Sequence, residues 1–422
     1  WGKSSGDRAK FGLTVPQILQ VVNRLEEAGM LDCLQLLHYH IGSQLSAISV
    51  VKSAIKEASQ IYAELVLLGA QMGFLDVGGG LAVDYNGAKN DSPASKNYNM
   101  QNYANDVVAT VQDTCEEKNI AAPILVSESG RAIASHQTIL IFDILNSSNI
   151  DPVLPPKSAT KEHLTLRNLR ETYSTITPEN CQEAYHDAVQ FKEEAINLFN
   201  LGYLTLGDRA CAEELYWSCC QKIFSIVQSQ PDTPDDFAEL LQNMASIYYG
   251  NLSIFRSIPD SWAIDQLFPL MPIHRLQEQP TKKGVVVDLT CDSDGKIKSF
   301  INTKNNPENL LALHHSNNQS YYLGLFLIGA YQEVMGNSHN LFGETSVINV
   351  HFTATGYQFE PIVAEQIIAN ILPTVQHDVF ELIAKVQKLA NSEIRNNRLN
   401  KAQADRITQA YKAFLCTGTY LN

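Results

Sequence analysis

Three times in its N-terminal third this chain runs from a short apolar stretch straight into glycine, serine or charged residues. Leu34 to Tyr39 lead into His40-Ile41-Gly42-Ser43, Phe74 to Val77 into Gly78-Gly79-Gly80, and Ile124 to Val126 into Ser127-Glu128-Ser129-Gly130-Arg131. The intervals between them have helical character. Thr14 reads as an N-cap, with Pro16 in the first turn of a helix running to about Met30. An amphipathic helix follows over about Ala47 to Gln71. A polar loop around Asn86 to Asn99 precedes another helix, over about Met100 to Lys118. Strand, helix, strand at this spacing predicts parallel βα units.

The alternation then stops. His136 to Leu145 is a strand-like run, and Pro152, Pro155 and Pro156 mark a linker. From about Lys161 to Asn251 the pattern is almost wholly helical, with Ala188, Phe191, Ala195 and Leu198 recurring at helical steps. Breaks at Gly202 and around Pro231 to Pro234 divide it into three or four helices, and the segment reads as an insertion. After Pro272, strand character returns at Val285 to Leu289, Ile297 to Ile301, Tyr321 to Glu333 and Val347 to Thr353, which predicts antiparallel β structure over 284–360. Ile362 to Leu372 and Val375 to Phe414 predict closing helices. The fold class is therefore α/β plus β, divided as a βα region over 1–136, a β-domain over 137–160 and 256–362, a helical insertion over 161–255, and C-terminal helices over 363–422.

A chain of 422 residues, 45% hydrophobic and 18% charged, can bury more than one core. Its formal net charge of -14 argues against nucleic acid or an anionic membrane as the main partner, and leaves room for a cationic small molecule. No apolar run approaches the roughly 18 residues of a membrane span. The eight cysteines show no zinc-type spacing, and Cys219-Cys220 are neighbours, which fits a reduced, cytoplasmic compartment. The chain opens on Trp1-Gly2-Lys3 with neither an initiator Met nor an apolar signal region, so an upstream part is expected.

The strings carry chemistry. Glycines at 78, 79 and 80 let backbone N–H groups approach an anion closely. The run is not a dinucleotide fingerprint, and a plain tight turn would explain it as well. Ser43 would add a hydroxyl and Arg131 charge-assisted hydrogen bonds to the same phosphate. Three successive strands that each deliver a phosphate-type group at their C-terminal ends match the way a (β/α)8 barrel holds phosphorylated cofactors. Glu128, set against a pyridine nitrogen, would keep it protonated and make the ring an electron sink; the alternative is an ordinary pair with Arg131. His38 and His40 share a strand face. The His40 ring would stack on such a pyridine, or it is a histidine satisfied by backbone. Downstream, Thr290-Cys291-Asp292-Ser293-Asp294-Gly295 offers a thiol beside two carboxylates. A thiol, with an ordinary pKa of about 8.5, is mostly protonated at neutral pH and can act as a general acid. Asp292 and Asp294 would face a cationic substrate group, or they form an Asp-Gly turn. No metal-ligand cluster stands out.

Taken in order, these strings resemble the fold-type III pyridoxal-phosphate (PLP) dependent decarboxylases. That alanine-racemase-like group includes the ornithine, lysine, arginine and diaminopimelate decarboxylases, and the likeness is nearest to the biosynthetic arginine decarboxylases. It rests on Phe11-Gly12-Leu13, Leu37-His38-Tyr39-His40-Ile41-Gly42-Ser43-Gln44, Asp76-Val77-Gly78-Gly79-Gly80-Leu81 with Val83-Asp84-Tyr85, and the Ser-Glu-Ser-Gly-Arg run. It continues through the Cys291 string and Gly329-Ala330-Tyr331-Gln332-Glu333 to His339-Asn340-Leu341-Phe342-Gly343. The resemblance implies the C-terminal part of a (β/α)8 barrel, a helical-bundle insertion and an antiparallel β-domain. It implies decarboxylation of L-arginine to agmatine and CO2 in polyamine biosynthesis, with PLP as cofactor and Mg²⁺ as an associated ion.

It further implies that His40 stacks on the ring and that Ser43, Gly78, Gly79, Gly80, Gly130, Arg131 and Tyr331 surround the phosphate. Glu128 would meet the pyridine nitrogen, Cys291 would return a proton, and Asp84, Asp292 and Asp294 would face the substrate. A homodimer or higher homo-oligomer is implied, because the Cys-Asp segment in such enzymes comes from the partner subunit. One departure stands out: the group's Schiff-base lysine lies well upstream of the His-Ile-Gly-Ser string, where this chain has only Lys3 and Lys10. The expectation is a C-terminal fragment, inactive and poorly stable alone. Decarboxylation of ornithine, lysine or diaminopimelate is the near alternative, and a non-catalytic regulatory relative the distant one.

Overall fold

The computed structural model describes residues 9–149, 162–228, 237–301, 308–315, 319–360 and 362–421. Helix α1 (Val15–Glu27) starts where expected: Gln17 Oε1 accepts from the Thr14 N–H at 2.9 Å, and Pro16 sits in the first turn, where no N–H is needed. It ends before Gly29, which takes φ +65° while the Met30 N–H reaches back to Leu25 O. Strand β1 (Leu36–His38), helix α2 (Ile48–Leu67), strand β2 (Phe74–Asp76), helix α3 (Met100–Lys118) and strand β3 (Ile124–Val126) follow. The strands form a parallel sheet in the order β1-β2-β3, with Leu36, Phe74 and Ile124 in register. Helix α2 stops short of Gln71 because Gly69 turns left-handed at φ +96°.

Alternation along the strands decides what each face does. Leu75 is fully buried, with Leu37 and Leu125 packed beside it, among Val51, Ile55 and Tyr62 of α2 and Tyr103, Val107 and Val111 of α3. Leu36, Phe74 and Ile124 lie on the opposite face, which is open in the described residues. Two residues on, at the C-terminal strand ends, His38, Asp76 and Val126 line up on that same open face. The strings begin there. Lys10 precedes α1 outside any strand, with its ammonium over the Phe11 ring, and Lys3 lies outside the described residues.

Helix α4 (Gly130–Ala134) leads into strand β4 (Leu140–Ser148). The Pro152 to Pro156 linker and the Pro231 to Pro234 break lie outside the described residues. Between them run α5 (Leu164–Thr175), α6 (Cys181–Asn200) and α7 (Leu206–Gln228), with the Gly202 break at φ +81°, and α8 (Ala238–Asn243) follows. These helices enclose their own core of Leu166, Leu169, Leu215, Ile223 and Leu240. Each side chain contributes about 2 kcal/mol of burial.

The insertion ends earlier than 255, because β5 (Ser246–Gly250) belongs to a six-stranded sheet. The chain continues through α9 (Ile254–Ser257), α10 (Pro259–Ala263), β6 (Leu270–Pro272), β7 (Lys282–Val287), β8 (Leu311–Leu313), β9 (Tyr322–Leu325) and α11 (Gln332–Met335). Strand order is β6-β9-β4-β5-β7-β8. The expected antiparallel arrangement is corrected at one pair: β5 and β7 run parallel, because α9, α10 and β6 supply the crossover that parallel pairing needs.

Two predicted strands are also corrected. Tyr321 to Glu333 is strand only over β9, since the chain must then bring Gly329 against Ala134 O, where an added Cβ would lie 2.0 Å away. Ile297 to Ile301 forms one isolated bridge, Phe300 with Glu308, instead of a strand, with Ile297 and Phe300 buried as plugs. The hairpin β10 (Val350–Thr353) and β11 (Gly356–Phe359) and the helices α12 (Ile368–Ile371), α13 (Val379–Arg395) and α14 (Lys401–Leu415) complete the chain.

Candidate functional site

The first two strings lock together through backbone. Gly78 and Gly80 hold φ +65° and +101°, and a Cβ at Gly78 would meet Tyr39 O at 2.1 Å, so only glycine fits. Gly79 has ordinary torsions, yet its Cβ would lie 2.9 Å from Glu128 O and 3.4 Å from the His40 ring. The Gly79 N–H donates to His40 Nδ1 at 3.3 Å, which leaves the proton of a neutral ring on Nε2. Gln44, buried at φ 53°, holds the two strings in register. Its amide donates to Val83 O at 2.7 Å and accepts from Val83 N at 3.0 Å. The Gly130 N–H is used inside its own turn, donating to Glu128 O at 2.9 Å.

Arg131 is the dominant charge. It is 6% exposed, its Nε donates to Ser43 Oγ at 3.3 Å and its Nη1 to the Tyr85 hydroxyl at 3.0 Å. Tyr85 is supported in turn by Ser135 Oγ at 3.2 Å, and the Tyr331 ring lies 4.9 Å from the guanidinium carbon. Among the described residues no carboxylate forms an ion pair with Arg131. A buried guanidinium without an acid is costly unless an anion completes it. Next to three glycines that leave no room for side chains, this arrangement fits a phosphate. Tyr331 is aimed by its neighbour Gln332, whose buried amide donates to Asp260 Oδ2 at 2.8 Å and accepts from Asp260 N at 3.1 Å.

Beside the cradle stands a group that the sequence reading did not isolate. The pairing His38↔Asp76 puts His38 Nδ1 2.8 Å from Asp76 Oδ2, and a Glu128 oxygen completes a set of ligand-type atoms all within 4.8 Å of one another. This corrects the expectation that no such cluster exists. A hard cation such as Mg²⁺ demands oxygen ligands in near-octahedral array, which one imidazole and two carboxylates do not offer. Asp76 is already engaged on both oxygens, by His38 and by the Gly78 N–H at 2.9 Å. Glu128 is the free carboxylate, exposed on the open face, and suits a protonated ring nitrogen.

The remaining candidates separate. Asp84 turns away into the polar loop, where its Oδ1 accepts from Ser95 Oγ at 2.7 Å, and no hydrogen bond joins it to the cradle. Cys291 follows β7 on the exposed loop after Asp288, whose Oδ2 accepts the Ile254 N–H and Oδ1 the Thr290 hydroxyl. Its N–H donates to Asn340 Oδ1 at 3.1 Å, and its Sγ lies 3.5 Å from the same oxygen. Asp292 faces His339 Nε2 at 3.4 Å, and Asp294 pairs with Lys298 at 3.3 Å. No hydrogen bond or ion pair among the described residues joins this loop to the His40–Arg131 cradle.

Burial raises the hydroxyl pKa of Tyr39 and Tyr103 beneath the cradle and lowers that of the Lys96 ammonium in the polar loop. Tyr85, Gln44, His339 and Asn340 all stand in the recognised strings without an assigned role. The aromatic hydroxyl after Val83-Asp84 was the available signal for the first.

Residues 1–135 match the family model described as "Pyridoxal-dependent decarboxylase, pyridoxal binding domain", and residues 159–242 match "Arginine decarboxylase helical bundle domain". Over its whole length the chain is 54% identical to the biosynthetic arginine decarboxylase of Thermosynechococcus vestitus and 53% identical to biosynthetic arginine decarboxylase 1 of Synechocystis. It spans 66% and 62% of those two proteins, so just under two thirds of the curated relatives' length is represented. The crystal structure of the biosynthetic arginine decarboxylase of Campylobacter jejuni superposes with a TM-score of 0.85 at 33% identity, over 99% of this chain and 68% of that one. Identity at this level over the whole chain, with the structural match, shows that the chain belongs to the biosynthetic arginine decarboxylase family and has the fold-type III PLP-decarboxylase fold.

Proposed function

We propose that the protein carrying this chain converts L-arginine to agmatine and CO2 with PLP. The observation that carries this is the buried Arg131, unpaired by any carboxylate among the described residues, beside glycines that tolerate no Cβ. Bound there, PLP would supply an electron sink for the pair left behind as the substrate carboxylate departs. Arg131, Ser43 and the Gly80 N–H hold its phosphate in the space that Gly78 and Gly79 leave clear, with Tyr331 alongside. His40 covers one ring face, its orientation set by the Gly79 N–H. Glu128 holds the proton on the ring nitrogen, which keeps the sink effective.

Cys291 Sγ supplies the proton that replaces the carboxylate, and Asp292 receives the guanidinium by a bidentate contact. Asp294 forms the rim of that pocket. Asp84 lies apart from that pocket, its Oδ1 accepting from Ser95 Oγ. The separation of the Cys291 loop from the cradle supports an active site completed by a second copy of the protein, a homodimer at the least. The eight free cysteines support a cytoplasmic location, and among the described residues no helix is long and apolar enough to cross a membrane. The Mg²⁺ that the resemblance implies would bind away from His38, Asp76 and Glu128, whose donors do not suit it.

The test is agmatine and CO2 release from L-arginine by the full protein, reconstituted with PLP and assayed before and after EDTA dialysis. Ornithine, lysine and diaminopimelate serve as competing substrates. Release from one of these in preference to arginine overturns the substrate assignment. Absence of turnover with all four, in protein that binds PLP, favours the regulatory reading.

A further inference from the structure

The turn that touches both Cys291 and Asp292 has no role in the reaction as set out above. It is held from several sides. Gly336 abuts Arg256 O so closely that a Cβ would lie 2.1 Å from it, the Asn337 N–H donates to Phe255 O at 3.1 Å, and the His339 ring packs 4.4 Å from that of Phe255. Asn340 and Leu341 then adopt consecutive left-handed torsions, φ 51° and 64°. Asparagine tolerates that region better than most residues, leucine poorly, so the turn keeps a strained shape that the surrounding contacts impose. The product of that shape is one carbonyl oxygen, Asn340 Oδ1, aimed at Cys291. It accepts the backbone N–H at 3.1 Å and lies 3.5 Å from Sγ. An amide oxygen has two lone pairs and can accept from both donors at once.

We propose that Asn340 is a positioning residue for Cys291, its amide oxygen fixing the thiol rotamer with S–H as the donor. This rests on the reading of Cys291 as the proton donor. An exposed cysteine otherwise samples three staggered rotamers, and only one can present its proton to a given carbon. Asn340 acts through Cys291 and touches neither ring nor phosphate.

The test uses the full protein with peptide-resolved mass spectrometry of iodoacetamide labelling, which reads Cys291 separately from the other exposed thiols, Cys33 and Cys416. Asn340→Gly keeps the left-handed backbone and deletes the acceptor. Its Cys291 should alkylate about threefold faster at fixed pH, because the sulfur is no longer held against the amide and turns freely to the reagent. Asn340→Asp keeps an acceptor of the same size but adds a negative charge, and labelling should slow by about the same factor. In both variants kcat should fall at least tenfold while the affinity for PLP stays at the parent value. Labelling rates equal to the parent in both variants overturn the proposal. If one variant fails to fold, the other still decides. Cys291→Ser separates the two levels: full decarboxylation in that variant removes Cys291 as proton donor, while the labelling rates independently judge the contact with Asn340.

Discussion

Replacing Arg131 by Met should move two quantities in opposite directions. In the apo protein the substitution removes a cation that is 6% exposed and paired with no carboxylate among the described residues, and puts an apolar chain of similar length in its place. The partners left behind are not stranded: the Tyr85 hydroxyl keeps Ser135 Oγ at 3.2 Å, and Ser43 is only partly buried and can turn to water. Desolvation of an unpaired buried charge costs several kcal/mol, so apo stability should hold or rise by about 1 kcal/mol. In a protein of this size that is roughly 1 °C in Tm. The affinity for PLP should collapse. Two charge-assisted hydrogen bonds to the phosphate, each contributing ~2 kcal/mol, give about 4 kcal/mol and thus close to a thousandfold in Kd. Arg131→Lys keeps the charge and loses the fork, and should fall between. Differential scanning fluorimetry of the apo protein and absorbance titration with PLP read the two effects. Parent-like affinity for PLP, or an apo loss near the 3 kcal/mol of a broken buried ion pair, would refute the argument that Arg131 is held in reserve for an anion.

Gly79→Ala places a Cβ 2.9 Å from Glu128 O, and overpacking of ~1–3 kcal/mol should weaken PLP binding about 10- to 100-fold without altering the far-ultraviolet circular dichroism. Gln44→Leu strands the buried Val83 N–H and C=O, both now satisfied at 3.0 and 2.7 Å, and urea melts should show a loss of ~2–4 kcal/mol. Burial in the helical bundle pushes the Cys219 and Cys220 thiols up to about 12 and about 11 from 9.0, the charge of Cys220 adding to the effect on Cys219. The unfolded chain therefore releases these protons first. Their contribution is complete below about pH 9 and is lost as pH rises toward 11 to 12, so Tm should drop less from pH 8 to pH 10 in a Cys219→Ala, Cys220→Ala variant than in the parent.

The cradle was legible because it depends on local backbone demands. A glycine forced to φ +65° by Tyr39 O announces itself as glycine at Gly78, and the strand before it as an apolar run. Helix α3 was legible to its ends for a similar reason, since Asn99 caps it by accepting the Asn102 N–H at 2.8 Å. What stayed hidden depends on pairing across the chain. His38 and Asp76 are 38 positions apart, and only the parallel register of β1 and β2 makes them neighbours at 2.8 Å. The parallel pairing of β5 with β7 escaped for the same reason, since each strand looks alike whichever way its neighbour runs. Asp84 lies in irregular chain eight residues beyond β2, where a partner comes from tertiary contact, and Ser95 of the polar loop donates to its Oδ1.

The strands of the small sheet carry one more consequence. Leu36-Leu37, Phe74-Leu75 and Ile124-Leu125 are apolar at successive positions, which is how strands read when both faces of a parallel sheet are covered. In the described residues only the face bearing Leu37, Leu75 and Leu125 is covered, while Leu36, Phe74 and Ile124 stand 46%, 37% and 63% exposed in one row. Covering that row would contribute about 2 kcal/mol per side chain. It would also dry the floor beneath His38 and Asp76, two residues along the same strands, and beneath Glu128, four residues beyond Ile124. In a drier surround, a carboxylate facing a protonated ring nitrogen gains strength, because its charge is no longer screened by water. The apolar row and the polar cluster above it are therefore coupled: whatever covers Leu36, Phe74 and Ile124 would also set how firmly Glu128, in the role proposed for it, holds the proton of the ring.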